Sequence, residues 1–244
     1  MADLQAILQR SSARHKHLCP RQVLGARMGL AGAAALGLNL PRTDKRLLVI
    51  VETDGCFADG VEVATGCTMG HRTLRLEDYG KIAATLIDVK QGGAVRVAPQ
   101  IDVRERAYAY ASEEPRHYFA QLQAYQVMPE SELLTIQPVT LTTPVATIVS
   151  RPGVRVNCDQ CGEEIINERE VQVAGQLLCR ACAGRSYYQT QCTEHVCTTL
   201  QHHRLLPSLA LEQGVAEQKA AMNGYHHGHE ETQCLTPAHF RRGS

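Results

Sequence analysis

The sequence predicts an α+β fold, a mixed sheet with flanking helices, followed by a small four-cysteine zinc ribbon. Three observations predict it. Short apolar strand-like runs are mixed with helical stretches without a strict β-α-β rhythm. Two C-x-x-C pairs stand 17 residues apart in the C-terminal half. Pro144 and Pro152-Gly153 discourage continuous structure between the two regions. The expected division is an α+β domain over 1–145, a linker and ribbon over 146–190, and a weakly ordered histidine-rich tail over 191–244.

Each element follows from its pattern. Ala2 to Arg14 carries Leu4, Ile7 and Leu8 at helical spacing. Gln22 to Leu38 reads as a second helix with a small-residue face of Gly25, Gly29, Gly32, Ala33 and Gly37, which lets another element approach closely. Arg46 to Glu52 is an apolar run ending at Thr53-Asp54-Gly55, a buried strand closed by a turn, and a helix starts near Cys56. Leu74 to Asp78, Ala83 to Val89 and Ala94 to Pro99 read as strands. Asp102 to Ser112 and Glu114 to Met128 read as helices, with Ser131 capping a last turn before the strand-like Leu134 to Leu141. The stretch Glu163 to Leu178 resembles a hairpin. In the tail a single helix is expected over Ser208 to Asn223, and its histidines are candidates for loose nickel or zinc binding. Cys192, Cys197 and Cys234 with His195 match no trusted ligand spacing.

Lysines and arginines number 25 and aspartates and glutamates 25, so no overall field draws the 244-residue chain to nucleic acid or an anionic membrane. No long apolar run reads as a membrane span, and the first residues lack the basic start and apolar core of a signal peptide. The expectation is a cytoplasmic protein with no membrane partner. Ten cysteines are many for that compartment, which directs them toward metal ligation, catalysis or redox chemistry.

Cys158-Asp-Gln-Cys161 and Cys179-Arg-Ala-Cys182 have the spacing of a structural zinc site. Two thiolates three residues apart in a tight turn can point at one tetrahedral centre, and Gly162 supplies backbone freedom there. Two disulfides or a redox C-x-x-C pair are the alternatives. A closed four-thiolate site holds the module together and does not catalyse.

A second group of candidate ligands lies in the main domain: His15, His17 and Cys19, then Cys56 and Cys67. If residues 15–19 are extended, alternate side chains share a face and the first three converge. Pro20 suits the first turn of a helix and leaves Cys19 at or near its N-cap, where the helix end favours thiolate. A soft His/Cys set fits zinc or another late transition metal. The bland alternative makes the histidines solvated loop residues and Cys56 and Cys67 small core fillers.

The motifs H-x-H-x-C-P with its glycine-rich helix (His15 to Gly37), V-E-T-D-G-C-F-A-D-G-V (Val51 to Val61), T-G-C-T-M-G (Thr65 to Gly70) and D-Y-G-K (Asp78 to Lys81) resemble the FmdE family of formylmethanofuran dehydrogenase proteins. His71 and Arg72 stand where that pattern has a smaller, glycine-containing loop. The resemblance implies an α+β core, a homodimer, and a metal or reactive-thiol site at His17, Cys19 and Cys56 with Cys67 close by. It also implies a second transition metal beside the ribbon zinc, and a molybdenum or tungsten formylmethanofuran or formate dehydrogenase as partner. The leading expectation is therefore a metal-binding accessory protein. One alternative is a thiol-redox protein or enzyme using Cys19 or Cys67, with Asp54, Asp59 or Lys81 in proton transfer. Another is a zinc-ribbon regulator of the DksA type. Against nucleic acid, Glu163, Glu164, Glu168 and Glu170 offset most of the charge of Arg151, Arg155, Arg169, Arg180 and Arg185.

Overall fold

The computed structural model describes residues 3–189 and residue 191. Five strands form the sheet: β1 (Leu47–Val51), β2 (Leu74–Leu76), β3 (Ala84–Asp88), β4 (Ala94–Pro99) and β5 (Leu134–Pro138). Their order is β2-β1-β3-β4-β5, with β1 and β2 parallel and the other pairs antiparallel, so the expected mixed sheet is present. The parallel pair is possible because a helix, α3 (Cys56–Thr65), makes the crossover between β1 and β2. Val49 is registered with Leu74 on one side and Leu86 on the other. Alternation then sorts the side chains: Leu47, Val49, Leu86, Val95 and Val97 enter the main core, and Leu48, Ile87 and Ala94 form a smaller one on the opposite face. Burial on both faces is why β1 reads as an unbroken apolar run.

The main core is covered by α1 (Leu4–His15), α2 (Pro20–Ala35) and α3, with α4 (Val103–Tyr110), α5 (His117–Val127) and the single turn α6 (Glu130–Leu133) at one end. The glycine face of α2 meets α3 directly. A Cβ on Gly25 would stand 2.2 Å from the Phe57 carbonyl oxygen, and one on Gly60 would stand 2.2 Å from that of Gln22. Gly25 faces Phe57 and Val61, and Gly29 faces Ala64 and Thr65, so the two helices run side by side in the same direction.

Several expectations need correction. Ser131 lies inside α6, whose N-cap position is Pro129. The stretch expected to link the domains contains a helical turn, α7 (Val145–Val149), and a strand, β6 (Arg155–Asn157). The turn forms because Ile148 and Val149 pack on the smaller core. In place of one hairpin over residues 163–178, β7 (Glu164–Ile166) returns to pair with β6, and β8 (Val171–Val173) pairs with β9 (Gln176–Leu178) across Ala174-Gly175. Residues up to Cys179 form one compact unit, and from the next unit a single π-type turn, Ala181–Arg185, is described. The expected tail helix, the tail histidines and Cys192, Cys197 and Cys234 lie outside the described residues.

A buried carboxylate secures the β3 end of the sheet. Asp88 is 1% exposed and accepts hydrogen bonds from Arg46 Nε and Nη2, at 3.1 and 2.6 Å, and from the backbone N–H groups of Lys90 and Gln91. The guanidinium, more than any other neighbour, holds its carboxyl at about 2, below the ordinary 3.8. Linkage makes that difference worth about 2 kcal/mol of stability. It is fully present above the ordinary carboxylate value and is lost as pH falls through the depressed one. Asp88→Asn is therefore expected to unfold about 2 kcal/mol more easily at pH 7. Denaturant midpoints of the two proteins should converge as the pH approaches 2.

Candidate functional site

Cys19 occupies the N-cap of α2, as its position before Pro20 predicts. Its thiol accepts from the Gln22 N–H at 3.4 Å, and its own N–H donates to Gln22 Oε1 at 2.8 Å. Gln22 is fully buried, and its Nε2 donates to the carbonyl and hydroxyl of Ser11, each at 3.0 Å, which ties α1 to the cap. Cys56 is the first residue of α3, after Gly55 at φ 73° and ψ −154°. Since α2 and α3 are parallel and in backbone contact, their N-termini lie together and bring the two thiols into contact. Burial pushes the Cys19 thiol up, the Gln22 N–H pulls it back, and the hydrogen bond and charge of Cys56 push it up again, for a net rise. Desolvation thus outweighs the helix end that was expected to favour thiolate.

A cavity of about 360 Å³ opens at this pair. His17, Cys19 and Cys56 line it, and α4 and α5 close it with Arg104, Tyr118 and Tyr125. Tyr118 donates to the Leu18 carbonyl at 3.4 Å. Tyr125 is buried in the wall, and that burial pushes its hydroxyl to about 12. A space of this size with apolar walls and a few convergent polar groups has the character of a small-molecule site. The helix-forming pattern of α4 and α5 gave no sign of these wall residues, because their place over the cavity is set by tertiary packing.

Of the other predicted residues, His15, Asp54, Asp59, Cys67 and Lys81 lie outside the cavity lining. Residues 15–19 are not extended: His15 ends α1, Lys16 turns left-handed at φ 61°, and His15 pairs with Asp59. His17 is in the cavity wall. Among the described residues, however, the ribbon cysteines are the group of three or more His, Cys, Asp or Glu ligand atoms lying within 4.8 Å of one another. Cys67 is fully buried, its thiol donates to the Leu47 carbonyl at 3.4 Å, and burial pushes its pKa up. It is a core residue and does not line the cavity. Asp54 and Lys81 do not line it either.

The second cluster is the ribbon. Cys158, Cys161, Cys179 and Cys182 place their sulfurs within 4.8 Å of one another, with Cys161 and Cys179 4.0 Å apart. A tetrahedral zinc with bonds of about 2.3 Å sets its sulfurs about 3.8 Å apart, so these residues fit the ion. Gly162, at φ 78°, makes the turn its place after Cys161 predicted. Burial pushes the Cys158 thiol up, but the N–H groups of Cys161, Cys179 and Gln160 outweigh it and bring the thiol down to about 6. Asp159 links the knuckles: its N–H donates to the Leu177 carbonyl and its Oδ2 accepts from the Leu177 N–H at 2.7 Å.

Comparison with known proteins places these two sites in context. Residues 152–188 match the prokaryotic dksA/traR C4-type zinc finger. The fold is shared with the crystal structure of a tungsten formylmethanofuran dehydrogenase FmdE-like protein from Syntrophus aciditrophicus. That match has a TM-score of 0.51 at 24% identity and covers 77% of this chain and 96% of that one. A probable S-adenosyl-L-methionine-binding protein of Archaeoglobus fulgidus is 38% identical over 99 residues, which are 39% of this chain but 27% of that protein. The chain thus spans about a quarter of the curated relative it matches. No helix among the described residues is long and apolar enough to cross a membrane. Residues 14–136, half of the sequence, match the family described as FmdE, molybdenum formylmethanofuran dehydrogenase operon, and with the four-cysteine finger behind them the chain is a metal-binding member of that family.

Proposed function

We propose that the cavity at the joined N-termini of α2 and α3 is the working centre, and that Cys19, Cys56 and His17 hold a transition metal there, zinc being the expected ion. The observation that carries the reading is the contact between the Cys19 and Cys56 thiols in the cavity wall. Two sulfurs and an imidazole suit a late transition metal, and three protein ligands leave a position open to whatever enters the cavity. The two thiols stand ready for this. His17 has to turn inward to join them. When bound, the metal supplies Lewis-acid chemistry. The protein's own part is to wall the cavity with the buried Tyr125 and to hold the Cys19 thiol with the Gln22 cap.

On this reading the protein is a cytoplasmic homodimer serving molybdenum or tungsten formylmethanofuran or formate dehydrogenase chemistry as an accessory or subunit, with the ribbon as its structural appendage. The same thiol contact supports a second reading, a dithiol redox protein working through Cys19 and Cys56. The finger match supports a regulatory role through protein contacts. Elemental analysis of the full chain separates the first from the others. Two metals per chain are expected, falling to one in Cys19→Ser or Cys56→Ser. One metal in the wild type, unchanged in both variants, removes the metal reading and leaves the dithiol.

A further inference from the structure

Arg75 lies on β2, the edge strand of the sheet. Its Nη1 donates to the Leu74 carbonyl at 3.1 Å, while Nε and Nη2 are shielded from solvent and have no hydrogen-bond partner. That same edge of the guanidinium is the one by which Arg46 grips Asp88 and by which Arg96 grips Glu52, at 2.6 and 2.7 Å. A guanidinium stays charged, so burying its fork without an acceptor costs free energy that a partner must offset.

The neighbours make the cost larger. The charges that bear on Arg75 are those of Arg169 and Arg72, both repulsive. Arg72 Nη2 donates to the Val149 carbonyl at 2.5 Å and the Ser150 hydroxyl at 2.9 Å, and Arg169 Nη2 donates to the Ile148 carbonyl at 3.3 Å. Three cations therefore crowd the end of α7 with neutral carbonyl and hydroxyl oxygens as their acceptors. Glu170 has its own buried, unpartnered Oε2, but its charge bears on Arg151 and not on Arg75.

Arg72 also lines a hollow of about 130 Å³, together with Lys45, His71, Thr73 and Ser150 among others, with no aspartate or glutamate in its wall; Arg75 and Arg169 are not in that wall. Thr73 and Arg75 are two residues apart along an extended segment and so face the same side. For its fork to reach this hollow the Arg75 side chain has to turn toward Thr73, which lines it.

We propose that the hollow and the Arg72, Arg75 and Arg169 cluster form a binding site for a small oxyanion, a phosphate or carboxylate group gripped by the Arg75 fork and flanked by Lys45 and Arg72. Bound there, it neutralises the cluster and fastens the α7 segment to the sheet edge. The site is separate from the Cys19 cavity and stands or falls independently of the metal there.

Equilibrium dialysis of the zinc-loaded full chain against radiolabelled inorganic phosphate, with acetate as competitor and ionic strength held with chloride, tests it. Saturable binding of one phosphate per chain is expected, with a saturable rise in melting temperature that chloride does not give. Competition by acetate at lower concentration than unlabelled phosphate assigns the site to carboxylates, and the reverse order assigns it to phosphoryl groups. Arg75→Met should lose about tenfold or more in affinity, the scale of hydrogen bonds to a charged group. Without phosphate it should melt no lower than the wild type, because an unpartnered buried charge has gone. Lys45→Ala, at an exposed position that does not threaten folding, should bind several-fold more weakly. The proposal is overturned by non-saturable uptake, by phosphate affinity unchanged in Arg75→Met, or, should that variant not fold, by unchanged affinity in Lys45→Ala.

Discussion

Stripping the metal from the four-cysteine ribbon is expected to unfold residues 152–188 while the five-stranded sheet stays intact. Within that segment the buried hydrophobic side chains are Cys158, Ile165 and Leu178. Three side chains are too small a core for a segment of this length, and its four strands are three residues each, too short to be stable alone. In sites of this type metal binding supplies the folding free energy. Hydrogen exchange on chelator-treated protein, or on Cys158→Ser, should show β6 to β9 exchanging freely and β1 to β5 still protected. Acid should act in the same direction. The thiols must lose their protons to bind the ion, so affinity declines as pH falls through the Cys158 value of about 6, and protons displace the ion at lower pH. Persistent protection of β6 to β9 in metal-free protein would show that packing alone holds the ribbon.

How much of this was legible depended on the range of the interaction concerned. The β1 run is apolar because both faces are covered, and that local signal located it within a residue of each end. The ribbon ligands were legible because the chemistry of one ion dictates their spacing. The Cys19 cap was legible because Pro20 can start a helix and cannot continue one. The pairing of β7 back to β6 was not, because three-residue strands carry no periodicity and the partner is set by the hydrogen-bonded Cys158–Gly162 turn between them. The contact of Cys19 with Cys56 spans 37 positions and depends on the direction in which α2 crosses α3. The glycine face announced a close approach without naming what would approach. The arrangement of His15 failed for a local reason: α1 runs through it and Asp59 offers its ring a hydrogen bond, so it meets the His17 ring edge-on, with centroids 6.0 Å apart, and stays out of the cavity lining.

That glycine contact supports the other large effect. In an exposed helix Gly→Ala stabilises by about 1 kcal/mol, because alanine is the better helix former. At Gly25 the sign should reverse. The added methyl would sit 2.2 Å from the Phe57 carbonyl oxygen and 2.9 Å from the Val61 nitrogen, and both are backbone atoms that cannot swing aside. Either α2 and α3 separate or the substitution is not accommodated, and overpacking of this kind costs about 1–3 kcal/mol and occasionally more. Gly25→Ala is expected to lose about 3 kcal/mol in denaturant unfolding, at the upper end of that range. Gly70→Ala, where a methyl meets nothing within 4 Å, should change stability by less than about 0.5 kcal/mol. The functional consequence is sharper than the stability loss. Cys19 and Cys56 are held on opposite sides of this contact, so widening it parts the thiols. Phenylarsine oxide, which needs two neighbouring thiols, should bind at this pair in wild type holding one zinc per chain, in the ribbon, and its capture should drop in Gly25→Ala under conditions where both proteins are folded. Equal capture by the two would mean that some other contact sets the thiol spacing, and that the glycine face serves the core alone.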